Sequence, residues 1–191
     1  MTAPVPTWLE PMAATLTRER FATPEWVFER KLDGIRVLAF KEGREVRLLS
    51  RNQLPQNHHY PSFVEAIAAL PVKNAILDGE ALDGRWDPRM TPGYYVFDLL
   101  WLEGRDLTEL PLDERREQLT RLRLRKPLVL VERITEPEPW KRACAEGWEG
   151  VIAKRRDSQY EHRRSPNWLK MKCEASQELV VGGFTDPQGK R

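Results

Sequence analysis

An α+β fold, built of antiparallel sheets flanked by helices, is the class this sequence predicts, and three observations predict it. Strand-patterned and helix-patterned runs alternate irregularly, without the strand–helix–strand rhythm of a parallel sheet. Turn signals at Asp33-Gly34 and Glu42-Gly43-Arg44 separate consecutive strand-like runs, as in an antiparallel meander. The 191 residues are 40% hydrophobic and 31% charged, enough for one large domain or two small ones and unlike a disordered chain.

Residues 1–24 are rich in proline and read as extended. Trp26 to Lys31 is a strand-like run that ends at the Asp33-Gly34 turn, and Ile35 to Lys41 resumes strand character. Glu45 to Ser50 follows as a third strand, with Val46 and Leu48 on one face. Phe63, Ile67 and Leu70 recur at helical spacing and predict a helix over Pro61 to Leu70. Ala75 to Leu82 and Tyr94 to Trp101 are apolar enough for buried strands. Leu112, Arg115, Leu119 and Leu122 step round a charged helix from Leu112 to Leu124. Val129 to Ile134 reads as one strand, and Pro139 to Glu146 as a helix closed by Gly147. Gly150 to Lys154 and Trp168 to Lys172 are further strands, and Leu179 to Phe184 opens another. No internal repeat or low-complexity tract is present.

A net charge of +2 neither demands nor excludes nucleic acid, because a basic stripe can sit inside a neutral total. The distribution is more telling: Lys154, Arg155, Arg156, Arg163, Arg164, Lys170 and Lys172 crowd a short stretch. Cys144 and Cys173 lie far apart without a C-x-x-C pattern, so reduced thiols in a cytoplasmic protein are expected rather than a disulfide or a zinc site. No apolar run approaches a membrane span, and the N-terminus lacks the basic start and apolar stretch of a signal peptide. A G-x-x-x-x-G-K-[ST] loop is also missing, which disfavours a P-loop ATPase. His58 and His59 are read as loop residues, and the tryptophans as packing residues, with Trp86 the best exception.

The chemistry concentrates at Lys31-Leu32-Asp33-Gly34-Ile35-Arg36, the pattern K-x-D-G-x-R, which arises by chance about once in 10⁵ windows. The plain alternative is a charged hairpin whose Asp33-Gly34 makes the turn and whose lysine is solvated. Five further stretches follow in order: Ser50-Arg51-Asn52, Leu77-Asp78-Gly79-Glu80, Tyr94 to Leu100, Glu149 to Lys154, and Trp168 to Lys172. This series resembles the motifs of the covalent nucleotidyltransferases: DNA ligases, RNA ligases and mRNA capping enzymes. The runs VRLLSRN, YYVFDLLWLEGRDLTELPLDERR, EGVIAKRRDSQY and RRSPNWLKMKC narrow the resemblance to the adenylation domain of ATP-dependent DNA ligases of the bacterial end-joining type.

The resemblance implies a nucleotidyltransferase (ATP-grasp-like) adenylation fold over residues 1–176, with residues 177–191 opening an OB-fold domain that is otherwise absent from the sequence. It implies that Lys31 takes AMP from ATP, that AMP passes to a 5′-phosphate, and that a 3′-hydroxyl then displaces it. It assigns Lys170 and Lys172 to the α-phosphate, Glu29 to adenine, Arg36 and Arg51 to ribose and phosphate, and Phe97 to stacking on the base. Lys154 becomes a second phosphate contact. Glu80 is expected on ribose or metal, and Glu149 on Mg²⁺ (or Mn²⁺), which favours carboxylate oxygens. Arg155, Arg156, Arg163 and Arg164 are expected to track DNA phosphates. Nicked duplex DNA, an OB-fold domain in cis or in trans, and a Ku-type end-binding protein are the implied partners. The link from Ala81 to Gly93 is shorter than the family's usual insert, which puts a contact made there in doubt. An RNA ligase, a capping-type enzyme, or a DNA-binding fragment of weak activity are the alternatives.

Overall fold

The computed structural model describes residues 4–84 and 90–173. The expected domain boundary at 176/177, the strand from Leu179 and Trp86 lie outside the described residues. Among these residues the chain forms β1 (Ala13–Leu16), β2 (Trp26–Arg30), β3 (Ile35–Glu42), β4 (Glu45–Ser50), α1 (Pro61–Ala68), β5 (Asn74–Leu82), β6 (Gly93–Leu102) and β7 (Arg105–Asp106). It continues through α2 (Leu112–Arg121), β8 (Leu128–Leu130), β9 (Arg133–Ile134), α3 (Pro139–Ala145), β10 (Gly150–Arg155) and β11 (Arg164–Lys172). The α+β class and the helices match expectation. The strands β1 and β7, of four and two residues, are too short to show a strand pattern in the sequence.

Two sheets result. One has the order β1-β11-β10-β2-β9, and the other β4-β3-β5-β6-β7 with β8 also paired to β6. Most pairings are antiparallel, as expected, and two parallel pairs join them, β1 with β11 and β8 with β6. A correction concerns β2 and β3. They are not a hairpin: β2 pairs with β10 and β9, whereas β3 pairs with β4 and β5. Both edges of each strand are already occupied, so the chain leaves one sheet and enters the other at residues 31–34. The stretch expected as one strand from Val129 to Ile134 divides for the same reason, β8 joining one sheet and β9 the other.

Both faces of β3 are buried, which explains its unbroken apolar run Val37-Leu38-Ala39-Phe40. Val37 and Ala39 pack with Leu48, Phe63, Ile67 and Leu119 beneath α1 and α2. Leu38 and Phe40 face the other way, onto Ile76, Leu100, Trp101, Tyr160 and Trp168. Successive side chains on a strand point to opposite faces, so one strand serves two cores. Burying a large apolar side chain contributes about 1.5–3 kcal/mol, which makes this strand the spine of the molecule. A third cluster packs Phe28, Val151, Ala153 and Met171 against Ala143 of α3.

Pro61 starts α1, where its missing N–H costs nothing, and Phe63 and Ile67 anchor it. Asp113 and Glu114 favour the N-terminus of α2 through the helix dipole. The fully buried Arg115 of that helix pairs with Asp98 through Nε–Oδ1 at 2.8 Å and Nη2–Oδ2 at 2.9 Å. Cys144 and Cys173 form a disulfide with their Cα atoms 5.3 Å apart, which corrects the expectation of reduced thiols. Sequence spacing carried no sign that the end of α3 lies beside the end of β11.

Candidate functional site

The crossing between the sheets creates the site. Lys31 follows β2, its backbone N–H held by the carbonyl of Gly150 at 2.9 Å. Gly34 then passes so close to β5 that a Cβ there would lie 2.5 Å from the carbonyl oxygen of Ala81. Glycine is required by this approach, not by a hairpin. The Lys31 ammonium forms an ion pair with Glu149, whose other oxygen lies 2.9 Å from Lys172 Nζ. Glu149 sits just before β10 and Lys172 at the end of β11, so neighbouring strands present this lysine–glutamate–lysine bridge. Partial burial pushes the Glu149 carboxyl up, and the bonds from Lys31 and Lys172 outweigh it and hold the group below its ordinary value.

A cleft of about 430 Å³ opens beside the crossing. Of the residues expected in a nucleotide site, Glu29, Lys31, Arg36, Arg51, Glu80, Phe97, Lys154 and Lys170 all line it, and so does Arg164. Glu149 and Lys172 stand at its side, joined to it through Lys31. Burial pushes Glu80 up to about 7, Asp78 adding to the rise while Arg36 and Lys31 oppose it. Burial, and then the charges of Arg164, Lys172 and Lys31, hold the Lys170 amine below its usual value. One end of the cleft is therefore strongly cationic.

Arg36 is already engaged within the protein. Its Nε and Nη2 donate to the two oxygens of Asp78 at 3.0 and 2.6 Å, and Nη1 donates to the carbonyl of Met12 at 2.6 Å. Tyr160 donates to the same Asp78 carboxylate at 2.7 Å and accepts the N–H of Met12 at 3.0 Å. Burial opposes the guanidinium's charge, but Asp78 leads the groups that raise its pKa overall. Asp78, Tyr160 and Met12 tie the two sheets together beneath the cleft, and sequence reasoning did not single them out for a role. Asp78 stood within a quoted stretch. Tyr160 closes the quoted run EGVIAKRRDSQY, but nothing in that run pointed to its partners, which lie far from it along the chain.

The other end of the cleft is aromatic, with a buried ion pair beside the rings. Phe97 meets Trp168 edge to face at 6.0 Å between ring centroids. Lys154 Nζ lies 4.3 Å from the Phe97 ring and 4.2 Å from the Trp168 ring, an arrangement that favours a cation. Lys154 is not a solvated strand end: it is buried and paired with Glu29 at 2.7 Å. Burial lowers its pKa, with Glu29 opposing. Glu29 also lies 3.1 Å from Arg116 of α2. Arg116 closes the run YYVFDLLWLEGRDLTELPLDERR that carried the resemblance, but no role was assigned to it there.

The four arginines expected on DNA are divided. Arg155 ends β10 and Arg156 follows it, while Arg163 precedes β11 and Arg164 begins it. Arg155 pairs with Asp157 and Arg163 with Glu161, both arginines being half or more exposed. Arg156 donates to the Pro24 carbonyl at 2.7 Å and reaches Asp113 at 3.1 Å. Arg164 donates to the Ala14 carbonyl at the edge of the cleft. The rings of His58 and His59 meet at a tilt in the loop before α1. No described helix is long and apolar enough to cross a membrane.

This geometry agrees with comparisons to known proteins. The profile of the family described as "ATP dependent DNA ligase domain" matches residues 11–92 and 83–172. The multifunctional non-homologous end joining protein LigD of Pseudomonas aeruginosa is 37% identical over 208 residues, covering 98% of this chain and 25% of that protein. The corresponding DNA repair protein LigD of Mycobacterium tuberculosis is 36% identical over 96% of this chain and 26% of its own length. The solved structure of mycobacterial DNA ligase D complexed with ATP and MES superposes with a TM-score of 0.72 at 33% identity, over 86% of this chain and 60% of that one. Chlorella virus DNA ligase-adenylate, at 19% identity and a TM-score of 0.61 over 85% of this chain and 68% of its own, shares the fold. The chain spans about a quarter of the length of these LigD relatives. The motif series, the sheet crossing that carries Lys31 and these matches together establish that the chain belongs to the family of ATP-dependent DNA ligase domains.

Proposed function

We propose that this domain carries out the nucleotidyl transfer of a DNA ligase, with Lys31 as the residue that receives AMP. The observation that carries the reading is the position of Lys31: at the sheet crossing, on the rim of a cleft with one cationic and one aromatic end. An ATP molecule has the complementary shape, with a flat base and an anionic tail. In the first step Lys31 gives up its ammonium proton to solvent, and the freed lone pair of its nitrogen bonds to the α-phosphorus while the bond from that phosphorus to the pyrophosphate oxygen breaks. Lys170, Lys172 and Arg51 hold the phosphates, Phe97 stacks on adenine, and Glu29 and Glu80 meet the base and ribose. The lysyl-bound AMP then passes to a DNA 5′-phosphate, and a 3′-hydroxyl displaces it to seal the nick.

Glu80 and Glu149 offer hard oxygens suited to Mg²⁺ or Mn²⁺, and the described residues contain no cluster of three side chains that would hold a metal by themselves. That fits an ion shared with ATP phosphates and water, which would neutralise charge on the triphosphate. Arg164 at the cleft, with Arg155, Arg156 and Arg163 beyond it, is the proposed track for DNA phosphates. The LigD relatives are named for non-homologous end joining, and end joining supports including a cytoplasmic, nucleoid-associated setting, an OB-fold domain and a Ku-type partner in the same proposal.

Incubation with Mg²⁺ and ATP, followed by intact-mass measurement and peptide mapping, tests the first step. The expected result is a gain of one adenylyl group at Lys31 that Lys31→Ala abolishes. Adenylylation that persists in Lys31→Ala sinks the reading, as does a wild-type protein that never gains AMP. Sealing of nicked DNA against nicked RNA tests the substrate class.

A further inference from the structure

One guanidinium holds three walls of the aromatic end of the cleft. Arg116 of α2 donates from Nη2 to the Val131 carbonyl at 2.6 Å and from Nη1 to the Phe97 carbonyl at 3.2 Å. The same Nη1 lies 3.1 Å from Glu29 Oε1. Phe97, Val131 and Glu29 all line the cleft, yet they belong to β6, to the segment between β8 and β9, and to β2. Strands β2 and β6 are in different sheets. Arg116 is itself only 6% exposed and does not line the cleft. Together with Val131 it separates the cleft from a second hollow on the outer surface beside α2.

We propose that Arg116 is a positioning residue that sets the width and hydrogen-bonding polarity of the base-binding slot, and so makes the site select adenine over guanine. The inference rests on the nucleotide reading above. Glu29 lies between two cations, with Lys154 on Oε2 and Arg116 beside Oε1. Its Oε1 is buried but receives no aligned hydrogen bond from the described residues. A buried acceptor without an aligned donor has a lone pair to offer, and it would be satisfied by a ligand amino group. The exocyclic amine of adenine is such a donor, whereas guanine presents a carbonyl oxygen at the corresponding position and would face the carboxylate acceptor to acceptor. The discrimination needs the carboxylate to stay still, and it is held by the Arg116 guanidinium 3.1 Å from Oε1 together with Lys154 on Oε2. A planar guanidinium spreads its donors over a rigid fork and so reaches a carboxylate and two carbonyls that stand apart, a span that a point-like ammonium does not match.

Arg116→Lys is the informative variant, because it keeps the buried charge beside Glu29 and so protects folding, while losing the simultaneous bridge to Phe97 and Val131. Adenylylation of Lys31 is followed with ATP and with GTP, giving KM and kcat separately, and ATP and GTP binding is measured by calorimetry. The expected result is a KM for ATP about tenfold higher, the loss of roughly one charge-assisted hydrogen bond, with kcat nearly unchanged. The preference for ATP over GTP falls by a similar factor in both assays. A variant that only melts earlier, with KM and base preference intact, overturns the proposal, since a purely structural role moves stability alone. If the wild-type protein gains no AMP, the reaction reading fails, and the calorimetric preference of the two proteins still decides the part played by Arg116.

Discussion

Replacing Gly34 with alanine tests the idea that the sheet crossing, and not a turn, presents the reactive amine. The added Cβ would lie 2.5 Å from the Ala81 carbonyl oxygen, 2.5 Å from Leu82 Cδ2 and 3.2 Å from Glu80 Cγ. The leucine methyl can rotate aside, but the carbonyl belongs to the β5 backbone and cannot. The crossing must therefore retreat by roughly 0.5–1 Å, at a cost of about 1–3 kcal/mol typical of overpacking. For a domain of this size that lowers Tm by roughly 3–10 °C. Lys31 lies three residues away on the same segment, and a displacement near 1 Å in a reacting group costs about 10²-fold in rate. The assay is single-turnover adenylylation at saturating ATP, run beside thermal unfolding. Gly43→Ala is the control: Gly43 has φ +61° and a Cβ added there would meet nothing within 4 Å, so only backbone strain of about 1 kcal/mol is expected and adenylylation is unaffected. If Gly34→Ala adenylylates at the parental rate with an unchanged Tm, the close approach to β5 does not constrain the site.

Further outcomes follow from the same geometry. Asp78→Ala strips a buried, bidentate partner from Arg36 and is expected to cost about 3–5 kcal/mol in urea unfolding; a loss below about 1 kcal/mol would mean that the guanidinium finds water instead. For Glu80, the folded carboxyl holds its proton up to about 7 instead of 4.5. A raised acid contributes stability that is complete below the unfolded value and is lost as pH rises through the folded one, so stability should fall between pH 4.5 and 7. With one side of the group facing the open cleft the fall is about 1–3 kcal/mol, and Glu80→Gln should flatten it when measured by urea unfolding in metal-free buffer. Reduction of the Cys144–Cys173 bridge, 29 residues apart in sequence, should lower stability by about 3–4 kcal/mol by freeing the unfolded chain. Two free thiols found in the denatured, unreduced protein would remove the bridge from the account.

The order of chemical groups along the chain was legible without coordinates. Lys31, Glu80, Phe97, Glu149 and Lys170 were identifiable because each lies within a short stretch of distinctive residues, and the α+β class because periodicity is a local property. Arg116 and Tyr160 were not legible, since their partners, Val131, Phe97 and Asp78, lie 15, 19 and 82 residues away. The disulfide was invisible for the same reason, two lone cysteines carrying no record of which helix end meets which strand end. The Asp33-Gly34 step reads as a hairpin because turn chemistry looks alike whether the following strand folds back or departs for another sheet. Residue type and local spacing therefore determined which groups this protein has for chemistry. Only the competition among strands for hydrogen-bonding edges, which is settled by long-range pairing, decided that β2 and β3 part company and leave Lys31 at the mouth of a cleft.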